Sequence, residues 1–370
     1  MGPGSPIYRP AAILRPESGP YPVQTPAIPL IGHCYRRLGF PDFGRFCFSD
    51  ALMIGTDLNL ARKHLERGAL VAIPTETVYG LAGNALNPES LAEIFRVKER
   101  PSFDPLIMHF ASADELCPFV QVLPEAFWPL YRRFCPGPLT FVLQKKPAVP
   151  DLLTAGQATV AVRFPAHPLS RELLQSLAFP LAAPSANKFG RVSPVRAEHV
   201  ADQLGEEIPY ILDGGPCSVG LESTIIDLSE GQPEILRLGG LPIEELENAL
   251  GHPIRRKPHS SSNPKAPGML SAHYSPGLPL LFGHLAENLP KVNRRRCGSI
   301  TFCQALPGIP QAQQRILSPR GDLNEAATGL FTALRSLAAL PAVEVILAEA
   351  FPEEGLGRAI NDRLRRASVR

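Results

Sequence analysis

Four cations stand where this chain turns or runs apolar. Lys98 and Arg100 flank Glu99 in FRVKERPSFDPLIMHF, and Pro101 stops the helix that carries them. Arg163 lies in the apolar run TVAVRFP, and Arg237 precedes a glycine pair in EILRLGG. A guanidinium offers a planar fork to a carboxylate or phosphate, and an ammonium offers a point charge. A proline-stiffened turn that holds both is therefore an anion clamp. The same two cations would also answer the dipole of a helix C-terminus, by about 0.3–1 kcal/mol. Arg163 is more demanding. It is in phase with Thr159 and Ala161, and its other-phase neighbours, Val160 and Val162, are apolar. A buried guanidinium without a partner is costly, so a protein acid or a ligand carboxylate must meet it.

Polar groups cluster where strands should end. VAIPTETVYGLAGNA, residues 71–85, begins as a buried strand and breaks at Pro74. It then offers Thr75, Glu76, Thr77 and Tyr79. In open α/β sheets ligands bind beyond the ends of strands. His109 closes the strand PLIMHF, where it would orient a ligand or sit as a satisfied core histidine. In PLAAPSANKFGRVSP, Ser185 and Asn187 alternate and so share a side; ordinary turn chemistry explains them equally. Ser223 and Thr224 open a strand in GLESTIIDL. APGMLSAHYSP sets Met269, His273 and Tyr274 between prolines, which suits a lid closing over a ligand. No common phosphate loop, nucleophile elbow or zinc-protease motif is present.

The elements that must position these residues alternate. Asp57 caps a helix to about Glu66, ended by Gly68; the strand ALVAIP follows; Pro88 opens the helix NPESLAEIFRVKER. Further strands are read at PLTFVLQKK, YILDGG, STIIDLS and PEILRLG, and helices at EAFWPLYRRF, LSRELLQSLA and RAEHVADQLG. The expected fold is α/β, a twisted mixed sheet in residues 53–250. Residues 251–279, rich in Pro, Ser, Gly and basic side chains, read as a linker and lid. Residues 280–370 alternate PLLFG, RCGSITFC, RILSP and VEVILAEAF with two helical stretches, which predicts a small parallel-sheet, Rossmann-like domain. Residues 1–52 read as a proline-rich, irregular extension without a secretory pattern, and Met53 is a candidate for the translation start.

The composition narrows the function. The 370 residues carry 37 Lys+Arg against 35 Asp+Glu, a formal net charge of +2, which argues against a dedicated polyanion binder. The 7 cysteines are scattered without a C-x-x-C pair, as in reduced, cytoplasmic proteins without a disulfide framework or zinc site. No apolar run spans a bilayer.

Taken in order, PTETVYGL, KERP leading into PLIMH, VAVRFP, PSANKFGRVSP, LESTIID, ILRLGG and PGMLSAHYSP resemble the YrdC-like family, in its two-domain threonylcarbamoyl-AMP synthase form. The resemblance runs from about Met53 to the C-terminus. It implies a YrdC-like sheet around a large basic cavity. It also implies a reaction: L-threonine, bicarbonate and ATP give threonylcarbamoyl-AMP and diphosphate, and a separate transferase passes the group to the adenosine beside the anticodon of tRNA. Carried over by motif, threonine would be held by Thr77, His109, Arg163, Ala183 and Ser223. ATP would meet Arg100, Asp104, Thr159, Ser185, Asn187, Ser193, Arg237 and Tyr274. Lys98 and Arg100 would serve bicarbonate and phosphates, with Mg²⁺ held mainly by the phosphates and no protein metal site.

Two departures stand out. Asp104 replaces a frequent Asn, and an acid beside a triphosphate needs Mg²⁺, a ribose hydroxyl or Arg100 to tolerate it. Leu270-Ser271-Ala272 lacks a basic residue common there. An RNA-binding or regulatory module without synthase activity stays open, as does weak RNA binding beside catalysis. A hydrogenase-maturation carbamoyltransferase would add C-x-x-C segments, which this chain lacks.

Overall fold

The computed structural model describes Met1 and residues 53–256 and 265–369, and the statements below concern those residues. The proline-rich stretch after Met1 and part of the expected linker, 257–264, lie outside them. Along the chain run β1 Met53–Gly55, α1 Leu58–Glu66, β2 Val71–Ile73, β3 Gly80–Asn84, α2 Pro88–Lys98, β4 Ile107–His109, α3 Phe127–Phe134 and β5 Leu139–Gln144. Next come α4 Asp151–Thr154, β6 Thr159–Arg163, α5 Pro168–Ser176, β7 Leu181–Ala182, α6 Ala197–Leu204, β8 Tyr210–Leu212, β9 Thr224–Asp227, β10 Glu234–Arg237, α7 Ile243–Leu250 and β11 Arg255–Arg256. The last stretch holds β12 Leu280–Gly283, α8 Leu285–Asn288, β13 Cys297–Thr301, β14 Gln314–Ile316, α9 Leu323–Ala338, β15 Val345–Glu349 and α10 Gly357–Ala367.

The first eleven strands form one mixed sheet, ordered β1-β8-β2-β3-β7-β4-β6-β5-β9-β10-β11. The last four form a separate sheet, β12-β15-β13-β14, in which every pairing is parallel. The fold is thus the mixed α/β architecture expected, with a small parallel sheet at its C-terminal end.

Helix starts follow local chemistry. Asp57 accepts from the backbone of Asn59 and Leu60, and Asn87 accepts from Glu89 and Ser90 with Pro88 in the first turn. Gly80–Asn84 is a return strand to which the sequence assigns no element, because Gly80 and Gly83 look like turn residues. Here the glycines make room instead. A Cβ on Gly83 would stand 2.8 Å from a Leu70 methyl, and one on Gly80 would stand 3.2 Å from the Cβ of Ala183. The stretch 71–85 is therefore a hairpin, β2 antiparallel to β3, with Thr75 to Tyr79 at its tip. The first part of the expected linker also differs: α7 precedes it, and Arg255–Arg256 pairs with β10 as an edge strand.

Linker residues from Lys265 onward pack on the sheet. Ala266 and Met269 are fully buried against Ile107, Val142, Ala161, Ile225 and Leu236. They roof one sheet face, and the polar ends of β4, β6 and β10 lie under that roof.

Candidate active site

Strand register assembles the site. His109 ends β4 directly beside Arg163 at the end of β6, and Thr140 of β5 lies on the other side of Arg163. Paired residues in adjacent strands present side chains on one face, so these three form a polar row. The row continues where the Thr140 hydroxyl meets that of Ser223 at 2.7 Å. Arg237, ending β10, donates to the Ser223 carbonyl at 2.8 Å and to its hydroxyl at 3.1 Å. A small cavity opens over this row. Its walls include Thr75, Arg100, His109, Arg163, Ala183, Ser185, Glu222, Ser223, Arg237, His273 and Tyr274.

Each cation has a specific setting. Arg163 pairs with Glu76 at 2.6 Å, and the other Glu76 oxygen accepts from the Ala166 backbone at 2.9 Å. A protein acid thus meets the buried arginine, while its Nε is buried without a partner. Arg100 is clamped to its own turn: Nε donates to the Asp104 carbonyl at 3.0 Å, and Nη2 to the Pro105 carbonyl at 2.8 Å. Nη2 also meets the Asp104 carboxylate at 2.9 Å. Burial pushes the Asp104 carboxyl up against the pull of Arg100, and its Oδ1 is buried without a partner. Lys98 is 1% exposed, and its ammonium donates to the carbonyls of Ser185 at 2.5 Å and Asn187 at 2.6 Å. Burial, then the nearby Arg100, drives its pKa well down. Arg237 is lowered to about 10, chiefly by burial.

His109 is neutral at physiological pH, because burial and then Arg163 depress its pKa to about 3. Its Nδ1 lies 3.1 Å from the Ile107 carbonyl. A carbonyl only accepts, so Nδ1 carries the proton and Nε2 keeps a bare lone pair. That nitrogen is an acceptor, suited to an ammonium or hydroxyl.

The residues assigned by motif divide into two groups. Arg100, His109, Arg163, Ala183, Ser185, Ser223, Arg237 and Tyr274 line the one cavity. Thr77, Lys98, Asp104, Thr159, Asn187 and Ser193 are buried but lie outside its lining, Thr159 at the opposite end of β6 from Arg163. Thr77 bonds Thr75 at 2.8 Å. The Asn187 amide donates to the carbonyls of Lys188 at 2.7 Å and Arg191 at 3.1 Å, which shapes the loop that Lys98 holds. The Ser193 hydroxyl donates to Glu222 at 2.6 Å. Tyr79 turns away from the site, its phenol donating to the Gly215 carbonyl at 2.8 Å.

Sequence reading missed Glu222, Arg363 and Arg366. In GRAINDRLRRAS the arginines look like the solvated side of an amphipathic helix. In the fold Arg363 is 0% and Arg366 3% exposed, and both guanidiniums lie over the Tyr274 ring, at 5.1 and 4.8 Å from its centroid. Tyr274 also stacks on Phe331 of α9 at 5.6 Å.

Among the described residues, no helix is long and apolar enough to cross a membrane. The family model described as "Telomere recombination" (Sua5_yciO_yrdC) matches residues 63–239. The model described as "Threonylcarbamoyl-AMP synthase, C-terminal domain" matches residues 241–369. A Pyrococcus abyssi protein named threonylcarbamoyl-AMP synthase is 42% identical over 84% of this chain and 94% of its own. The Bacillus subtilis protein of that name is 39% identical over 82% of this chain and 90% of its own. The crystal structure of P. abyssi Sua5 complexed with L-threonine superposes with a TM-score of 0.78 at 38% identity, covering 86% of this chain and 97% of that one. With both family models in sequence and relatives matched over nearly their full lengths, the chain belongs to the Sua5/YrdC family in its two-domain, threonylcarbamoyl-AMP synthase form.

Proposed function

We propose that this protein is a threonylcarbamoyl-AMP synthase, and that the cavity over the β4–β6–β10 row is where its chemistry occurs. The observation that carries the reading is the convergence of Arg100, Arg163, Arg237 and a neutral His109 on one enclosed space. Threonine, bicarbonate and the triphosphate are anions or carry one, and each needs a counter-charge.

In this reading Arg163, oriented by Glu76, receives the threonine carboxylate, and the bare Nε2 of His109 accepts from the ammonium or hydroxyl. The surrounding positive charge lowers the ammonium pKa, which favours the free amine. The amine attacks the carbon of bicarbonate or CO₂ to give a carbamate. A carbamate oxygen then attacks the α-phosphorus of ATP, breaking its bond to the β-phosphate bridge oxygen. Threonylcarbamoyl-AMP and diphosphate leave, with one water released when bicarbonate is the carbon source. No covalent enzyme intermediate is needed, because proximity and charge stabilisation suffice.

Mg²⁺ would enter with the nucleotide and be held mainly by its phosphates, since the carboxylates at the site, Glu76, Asp104 and Glu222, are already paired with Arg163, Arg100 and Arg363. The product is labile to water, so a roof of Pro267, Gly268, His273 and Tyr274 has a purpose. A tRNA threonylcarbamoyl transferase in the same cytosolic compartment would take the product.

The test is incubation with ATP, threonine and labelled bicarbonate. A labelled adenylate and threonine-dependent diphosphate release are expected; RNA binding that is indifferent to ATP and threonine, with no label transferred, would replace this reading with that of a non-catalytic module.

A further inference from the structure

Glu222 poses an electrostatic problem. It is a carboxylate in the wall of a cavity read here as holding a triphosphate, and it is 7% exposed. Left alone it would repel the nucleotide or take up a proton. Its counter-charge comes from the far end of the chain. Arg363 of α10 donates from Nε to one Glu222 oxygen at 2.8 Å. Ser193 donates to the other at 2.6 Å. Burial would raise the Glu222 carboxyl, but Arg363 and then Arg237 hold it down at about 2.

The same helix fixes the roof. The carbon of the Arg363 guanidinium lies 5.1 Å from the Tyr274 ring centroid, and Asp362 orients that guanidinium through Nη1 at 2.8 Å. Arg366 donates to the Leu270 carbonyl at 2.8 Å, and its own carbonyl accepts from the His273 backbone at 3.3 Å. Tyr274 sits at φ +66°, a conformation costly for a residue with a side chain, which persists only where its surroundings enforce it. The enforcing contacts come from α10 and from Phe331.

We propose that Arg363 is a positioning residue for the nucleotide end of the cavity: through Glu222 it sets the Ser193 hydroxyl, and through its guanidinium face it sets Tyr274. The inference rests on the synthase reading above and adds that the C-terminal helix completes the site. It also fixes the hydrogen-bond sense of Ser193. A hydroxyl whose proton goes to Glu222 has only lone pairs left. Ser193 can therefore offer the nucleotide end of the cavity only an acceptor, suited to a ribose hydroxyl or a base amino group and not to a phosphate oxygen.

The experiment compares full-length wild type with Arg363→Met, Arg363→Lys, Glu222→Gln and the Arg363→Met/Glu222→Gln double variant. Dissociation constants for a non-hydrolysable ATP analogue are read by calorimetry, and KM for ATP and for threonine from diphosphate release. Arg363→Met should weaken nucleotide binding by at least about tenfold while KM for threonine moves less than about twofold. The double variant should recover part of that loss, because it removes the stranded carboxylate. In Arg363→Met the Glu222 carboxyl is freed to titrate, so nucleotide affinity should improve as pH falls from 7 toward about 5; wild type should show no such trend.

Equal damage to both substrates, absence of rescue in the double variant, or unchanged nucleotide affinity in Arg363→Met would overturn the proposal. If Arg363→Met does not fold, Arg363→Lys and Glu222→Gln decide by the same ratio. A wild type that binds the analogue without turnover would sink the synthase reading, and the affinity ratio would still judge Arg363. A wild type that binds no nucleotide would overturn both.

Discussion

Arg163 shows what a residue type in context reveals and what it hides. A guanidinium in an apolar strand demands an anion, and that demand is readable from TVAVRFP alone. That the anion is Glu76 is not readable, because 87 residues separate them and a hairpin tip brings them together. The pair makes the site specific. Glu76 holds Nη2, so the orientation of the whole fork is set before any ligand arrives. Arg163→Lys keeps the charge and loses the fork. We expect KM for threonine to rise by about tenfold or more while KM for ATP holds, since bidentate recognition is lost only at the amino-acid end. Equal changes in both constants, measured by diphosphate release, would remove Arg163 from the carboxylate role. Asp104 yields a prediction of opposite sign. Its carboxylate sits 2.9 Å from Arg100 and partly cancels the charge meant for phosphate. Asparagine keeps an acceptor for the arginine and drops the negative charge. Asp104→Asn should therefore lower KM for ATP, by about two- to fivefold on the scale of a partly screened charge. A raised KM would show instead that the ion pair is needed to aim Arg100.

Elements were legible where one local signal sufficed. Asp57 and Asn87 announce their helices, and the apolar runs announce β5, β6 and β9. The return strand β3 was hidden because its glycines answer tertiary crowding from Leu70 and Ala183, which no local pattern encodes. The roof is a mixed case. Prolines around HYSP suggested a lid, but its seating depends on contacts from α9 and α10. Gly268 is the point at which that seating can be tested. Its φ is +73°, and a Cβ would stand 2.9 Å from Nη1 of Arg237, the nitrogen that donates to Pro267. Alanine there costs about 1 kcal/mol for the left-handed backbone alone. Because a guanidinium tip can move, the expected result is not unfolding but a displaced Arg237. Gly268→Ala should raise KM for ATP several-fold, about 1 kcal/mol in transition-state terms, with KM for threonine little changed. Kinetics indistinguishable from wild type would mean that the roof does not act through Arg237.

At the scale of the molecule, the two sheets share one apolar core. A continuous cluster joins Leu139 and Phe141 of the large sheet through Leu221 and Tyr274 to Phe331 and Leu334 of α9. This continuity was not visible in a sequence whose texture changes near residue 251 and suggests independent domains. It lets groups far apart in the chain answer to one folding equilibrium, and it makes stability sensitive to acid. His109 is depressed to about 3, by burial and then Arg163, and His199 to about 4, by burial and then Arg335. His273 is depressed too, by burial and then Arg366. A histidine whose folded pKa lies below its unfolded value takes up its proton first in the unfolded chain. Unfolding therefore gains as pH falls below about 6.5, until the folded pKa is reached. His109 alone, 1% exposed, should cost about 2 kcal/mol at pH 5 relative to pH 8. Glu222 works in the same direction lower down: held at about 2, it contributes stability above the usual carboxylate range and loses it as pH falls through that value. Denaturant unfolding of the full chain should thus show stability falling steadily from pH 6.5 to 4. His109→Gln, neutral at every pH and able to donate to the Ile107 carbonyl, should flatten the upper part of that fall. A curve of unchanged slope in His109→Gln would mean that His109 titrates in the folded protein as it does in the unfolded chain, and the depression of its pKa by burial and Arg163 would have to be abandoned.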